Sequence, residues 1–124
     1  MKYKLIERAN PQDRSKKKFY AQPVNEGKVT QKNIAADIVE LSSLSRGDVS
    51  NVIESLLGTM PRYLLMGKSV QLGDFGTLRL SFSSEGVENA AEFRAGMISG
   101  VKVVFTPSVE LKAALQKISF EKAQ

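Results

Sequence analysis

Apolar residues recur along this chain with two different periods. Between Thr30 and Ser42, the residues Ile34, Ala35, Ile38, Val39 and Leu41 fall at helical spacing, which predicts one amphipathic helix. Thr30 precedes them as an N-cap, because its hydroxyl can accept from an orphan amide of the first turn. After the connector Ser43-Leu44-Ser45 a broader stripe begins, made of Val49, Val52, Ile53, Leu56, Leu57, Met60, Leu64 and Leu65. Ser45 with Asp48 resembles a capping box in which Asp replaces the usual Glu. The stripe predicts a helix to about Met66, stopped by Gly67. Pro61 lies inside it, removes one backbone hydrogen bond and predicts a bend near Leu57–Met60. Because the stripe continues across the proline, one bent helix is expected rather than two.

The second half of the chain switches to a period of two. Leu78, Leu80 and Phe82 alternate with Arg79 and Ser81, the pattern of a half-buried strand. Ser69 to Leu72 predicts a short strand before it, and Gly73-Asp74-Phe75-Gly76 turns the chain between the two. Residues 83–100 are poor in pattern and contain Gly86, Gly96 and Gly100. Val101, Val103 and Phe105 alternate again until Thr106-Pro107, and Ser108 caps a last helix. Val109, Leu111, Ala113, Ala114, Leu115 and Ile118 supply the apolar face of that helix. At the other end, residues 3–8 and the stretch from Lys18 to Val24 predict two strands around turn chemistry at Asn10-Pro11-Gln12-Asp13, an N-terminal hairpin. Asn25-Glu26-Gly27 then breaks the chain.

The body is thus helix, helix, three strands, helix, an α+β order. Its apolar stripe along Val52–Leu65 is more than a three-stranded sheet can cover, so a second copy of the chain is expected to bury the surplus. The small core of a 124-residue chain points the same way, against the alternative of a compact monomer.

Composition narrows the chemistry. The chain has no Cys and no His, which removes Ser-His and Cys-His nucleophiles, the usual general base and the commonest metal ligand. No catalytic residue, metal, cofactor or small-molecule substrate is expected, and the protein reads as a non-enzyme. No apolar run is long enough to span a membrane, and the opening Met1-Lys2-Tyr3-Lys4 lacks the apolar core of a signal peptide, so a cytoplasmic location is expected. The net charge of +5 is unevenly placed: residues 1–32 hold nine cations against three anions, a net of +6, which leaves −1 for residues 33–124. A basic module beside a near-neutral body suggests an anionic partner, although a solvated lysine-rich surface would have the same composition.

Four motifs in this order resemble the bacterial histone-like HU/IHF family of dimeric DNA-binding proteins. Leu44-Ser45-Arg46-Gly47-Asp48-Val49 resembles the link between that family's first two helices. Leu65-Met66-Gly67-Lys68-Ser69-Val70-Gln71-Leu72 resembles its second helix end and first strand. Gly73-Asp74-Phe75-Gly76-Thr77-Leu78 is similar to its signature turn, in which Asp74 is read as a turn former, and Phe105-Thr106-Pro107-Ser108 is similar to the lead into its last helix. The resemblance covers about residues 29–118, with residues 1–28 as a basic β extension associated with a divergent HU-like subgroup, and residues 29–124 as the HU/IHF-like unit. It implies an intertwined dimer with a helical base, a three-stranded sheet per subunit and two β-arms that hold the DNA minor groove. Affinity would come mainly from Lys and Arg on phosphates, with little reading of bases.

The chain departs from that family in its arm, expected at about residues 83–100. Glu85, Glu88, Glu92 and Arg94 give the arm a net charge of −2, and it has no proline to wedge between base steps. Carboxylates in a minor groove are repelled by the phosphates on both sides. Phe93 or Met97 could intercalate instead, or could pack the arm against the body. The N-terminal run Lys16-Lys17-Lys18-Phe19-Tyr20 could compensate, with cations on phosphates and a base stacked on Tyr20, or it could be a strand whose lysines guard an open edge. Arg79 and Lys102, on the strands that form the family's saddle, Lys32 near a helix N-terminus, and Arg94 complete the candidate DNA contacts. The leading expectation is a sequence-tolerant, histone-like, nucleoid-associated protein that binds double-stranded DNA as a homodimer and takes part in DNA condensation. The alternative is a structural or interaction module that kept the dimer fold and lost strong DNA binding.

Overall fold

The computed structural model describes residues 1–124 as three helices and two three-stranded sheets, in the α+β order read from the sequence. The first sheet opens with β1 (Lys2–Ala9) and β2 (Lys17–Pro23), an antiparallel pair in register from Tyr3↔Pro23 to Ala9↔Lys17. Asx chemistry locks the turn between them. Asn10 Oδ1 accepts from the Gln12 amide at 2.9 Å, and the Asn10 amide donates to the Lys16 carbonyl at 2.8 Å. Asp13 Oδ1 accepts from the Ser15 hydroxyl at 2.6 Å and from the Ser15 amide at 3.1 Å. Those two bonds, the hydroxyl's above all, hold the Asp13 carboxyl below its ordinary range.

Helix α1 (Gln31–Leu41) starts at Thr30, as its sequence predicts, and the cap is reciprocal. Thr30 Oγ1 accepts from the Asn33 amide while Asn33 Oδ1 accepts from the Thr30 amide, so two orphan donors are satisfied at a gain of about 1 kcal/mol. Helix α2 (Arg46–Leu65) is capped by Ser45 Oγ on the Asp48 amide at 3.1 Å, the forward half of the expected box. It runs as one helix across Pro61, and the chain leaves it through Gly67 at φ 81°.

The second sheet has the order β3 (Val70–Leu72), β4 (Gly76–Ser84), β5 (Ile98–Pro107). Between β3 and β4, Gly73 takes φ 50° and Gly76 is buried opposite Pro107. A Cβ on Gly76 would lie 2.5 Å from the Thr106 carbonyl oxygen and 2.6 Å from the Phe105 ring. Phe75 packs on Phe105 with ring centroids 5.0 Å apart. The Ser108 amide donates to the Phe75 carbonyl, and its hydroxyl donates to the Asp74 carbonyl while accepting from Leu111. The signature turn is therefore tied to the start of α3 (Val109–Leu115), and Asp74 serves there through its backbone.

The structure gives the arm its form and corrects the extent of the last helix. Pairing of β4 with β5 continues outward to Ser84↔Ile98, and the remaining residues 85–97 close the hairpin with two short 3₁₀ turns, Ala90–Glu92 and Ala95–Met97. The arm expected at about residues 83–100 is thus the outer end of this hairpin, with a tip of 3₁₀ turns. Helix α3 stops at Leu115 and does not include Ile118. The chain beyond it turns back and adds β6 (Glu121–Lys122) in parallel to β1, with Lys2↔Glu121 and Tyr3↔Lys122. The N-terminal hairpin thus gains its third strand from the C-terminal end of the chain.

The protomer buries little. Ala35, Val49 and Leu64 are its only buried apolar side chains, while Val52, Leu56, Leu57, Leu65, Val101 and Val103 stay exposed. So thin a core leaves folding unsupported unless much of that surface is covered.

Candidate nucleic-acid interface

Strand alternation sorts the basic residues onto faces. In the second sheet, Arg79 lies opposite Val104 and Ser81 opposite Lys102, so the two cations are diagonal neighbours on one face. Thr77 and Thr106 share that face, and both cations are exposed. The reverse face carries Leu78, Leu80, Val103 and Phe105. A sheet that is apolar beneath and cationic above can lie on a helical base and present its charges to a polyanion. An irregularity between Ser81 and Ser83, with Gly100 at φ 65° on the partner strand, bends the hairpin just beyond these charges.

The N-terminal sheet divides the lysine run that the sequence presents as one block. Arg8 stands opposite Lys18 and Ile6 opposite Tyr20, all on one face. Arg8, Lys16, Lys18 and Tyr20, with Asn10 and Pro11, line an open depression of about 400 Å³ that has no carboxylate in its wall. Lys17 lies on the other face, 3.9 Å from Glu7. That face is otherwise apolar, with Tyr3, Leu5, Phe19, Ala21 and Pro23. Arg8 is the basic residue sequence reasoning missed. Its only signal is the alternation of β1, which becomes informative once the register against Lys18 is fixed.

The other candidates stand apart from both faces. Lys32 is exposed in the first turn of α1, where Thr30 already occupies the Asn33 amide. Arg94 turns its guanidinium back on the tip of the arm, where Nη1 donates to the Ala91 and Phe93 carbonyls at 3.3 and 3.2 Å. Phe93 is 37 % exposed at the tip of the arm, and Met97 is half-buried. No cluster of three or more His, Cys, Asp or Glu is placed to hold a metal ion, and no helix is long and apolar enough to cross a membrane.

Two helices followed by a three-stranded sheet with a long hairpin are the fold shared with solved HU proteins. The chain belongs to the HU-HIG family, described as an HU domain fused to wHTH, Ig or glycine-rich motif, whose model matches residues 1–122. The N-terminal hairpin therefore falls within this family's own pattern. Among solved structures, a protein from Bacteroides vulgatus ATCC 8482, to which bacterial DNA binding has been provisionally ascribed, is similar over 98 % of this chain with TM-score 0.62 and 19 % identity. The match takes in 47 % of that protein, so the chain spans about half its length. HU of Thermotoga maritima, as a valine-to-isoleucine mutant, matches over 70 % of this chain and 99 % of its own, with TM-score 0.52 and 17 % identity. Anabaena HU, in a cocrystal with DNA, matches over 73 % and 100 %, with TM-score 0.57 and 13 % identity. No protein of curated function matches the chain.

Proposed function

We propose that this chain is a sequence-tolerant, histone-like DNA-binding protein that works as a homodimer in the bacterial nucleoid. The observation that carries the reading is the exposed Arg79–Lys102 pair on the polar face of a hairpin whose reverse is apolar. Membership of a family built on the HU domain supports double-stranded DNA as the partner, as does similarity to an HU protein crystallised with DNA. In this reading residues 29–124 form the HU-like unit and residues 1–28 a basic extension. Arg79 and Lys102 take backbone phosphates of the duplex, and Lys16 and Lys18 make the extension a second cationic surface for nucleic acid. Neither a cofactor nor catalysis is required. The exposed faces of α2 and of the second sheet pack against a second protomer, which supplies the core that one copy lacks.

The acidic tip sets this chain apart from a DNA-kinking mode. With three carboxylates, no proline and Arg94 folded inward, the tip stays clear of the groove. Binding then rests on phosphate contacts along the sheet. The same tip is the observation that favours the second reading, a dimeric interaction module with no strong hold on DNA.

Electrophoretic mobility shift with a generic duplex at two salt concentrations separates the readings. A retarded complex at low salt that dissociates as salt rises supports the first. No complex at low salt leaves the second.

A further inference from the structure

The depression on the N-terminal sheet combines two features that a duplex backbone alone does not require. Its cations come from both strands: Arg8 faces Lys18 directly, and Lys16 is held at the hairpin end by the Asn10–Lys16 backbone bond. Like charges placed directly across a hairpin repel, and no carboxylate lines the depression to relieve them. Asp13, the one acid of the turn, is occupied by Ser15. Beside the cations Tyr20 is 49 % exposed and lines the same depression, although a tyrosine in a strand normally packs against its neighbours. A half-exposed tyrosine beside unneutralised cations is the arrangement that holds unpaired nucleotides, with phosphates on the charges and a base on the ring. A duplex keeps its bases stacked inside and has no use for the ring.

We propose that this face, with Arg8, Lys16, Lys18 and Tyr20, is a second nucleic-acid site that takes an unpaired strand, such as a frayed end or a single-stranded gap beside the duplex held on the second sheet. The proposal rests on the reading of the chain as a nucleic-acid binder. It gives the extension a task distinct from that of Arg79 and Lys102. The protein then binds where double and single strands meet, one site on each.

Fluorescence anisotropy with a labelled oligothymidylate, an abasic strand of the same length and a duplex tests it. The intact chain binds oligothymidylate roughly tenfold or more tightly than the abasic strand, the worth of one stacked base. Tyr20→Leu lowers oligothymidylate binding to the abasic level, and Tyr20→Phe, which keeps a ring, restores it. Arg8→Gln with Lys18→Gln weakens both strands alike. Equal binding of the two strands by the intact chain overturns the proposal, as does unchanged oligothymidylate binding in Tyr20→Leu. Duplex binding with no single-strand binding overturns this inference alone. Failure to bind any of the three probes overturns the proposed function as well.

Discussion

Arg8 stands directly across β1 and β2 from Lys18, with no acidic side chain lining the depression they share. The nearby carboxylates are turned elsewhere: Glu7 lies beside Lys17 on the opposite face, and Asp13 is bonded to Ser15. A hairpin built only for stability would place opposite charges at this pair. Lys18→Glu is therefore expected to stabilise the hairpin by roughly 0.2–1 kcal/mol while weakening nucleic-acid binding. Thermal unfolding and anisotropy on the same variant should move in opposite directions.

Gly76 has no room for a side chain, since its Cβ would meet the Thr106 carbonyl and the Phe105 ring. Gly76→Ala should force β4 and β5 apart where they meet the signature turn, at a cost of about 1–3 kcal/mol. Chemical denaturation reads the loss. Gly58, where an added Cβ meets nothing within 4 Å, is the matched control: Gly58→Ala should be neutral or stabilising, because Ala is the better helix former.

The exposed apolar face of α2 predicts the oligomeric state. Val52, Leu56 and Tyr63 recur at spacings of four and seven, and Val52 is 61 % exposed in the protomer. Val52→Asp with Leu56→Asp should convert a dimer into an unstable monomer in analytical ultracentrifugation, with a lowered and broadened melt. A protein that is already monomeric before mutation would contradict the dimer.

Salt dependence measures the phosphate contacts. If Arg79 and Lys102 each neutralise one phosphate of a duplex, the double variant Arg79→Gln/Lys102→Gln should flatten the slope of log K against log[salt] by roughly 1.8. An unchanged slope would remove both residues from the interface.

Asp13 provides a pH handle on the hairpin turn. Its folded-state pKa is lowered by Ser15, so its contribution to stability is present above the unfolded-state value and is lost as pH falls through the folded-state one. In an NMR titration the Asp13 carboxyl should therefore titrate below an ordinary aspartate. Ser15→Ala, which removes the larger of the two bonds, should raise it.

The sequence by itself determined the local elements. Thr30, Ser45 and Ser108 start their helices because a side-chain oxygen one turn from an orphan amide needs no distant partner. Gly67 and Gly73 take backbone angles that only their lack of a Cβ makes easy. The alternation around Arg79 was legible for the same reason, since period two assigns faces within a strand without knowledge of its neighbours. What lay beyond reach depends on which residues meet across space. Ile118 has the hydropathy of a helix face, but α3 ends at Leu115 and the tail pairs with β1, a contact between opposite ends of the chain that no local signal encodes. The tertiary register likewise split Lys16-Lys17-Lys18 between two faces and brought Arg8 to Lys18. A strand slipped by one position would have exchanged those faces, so only the folded pairing decides which cations gather around Tyr20.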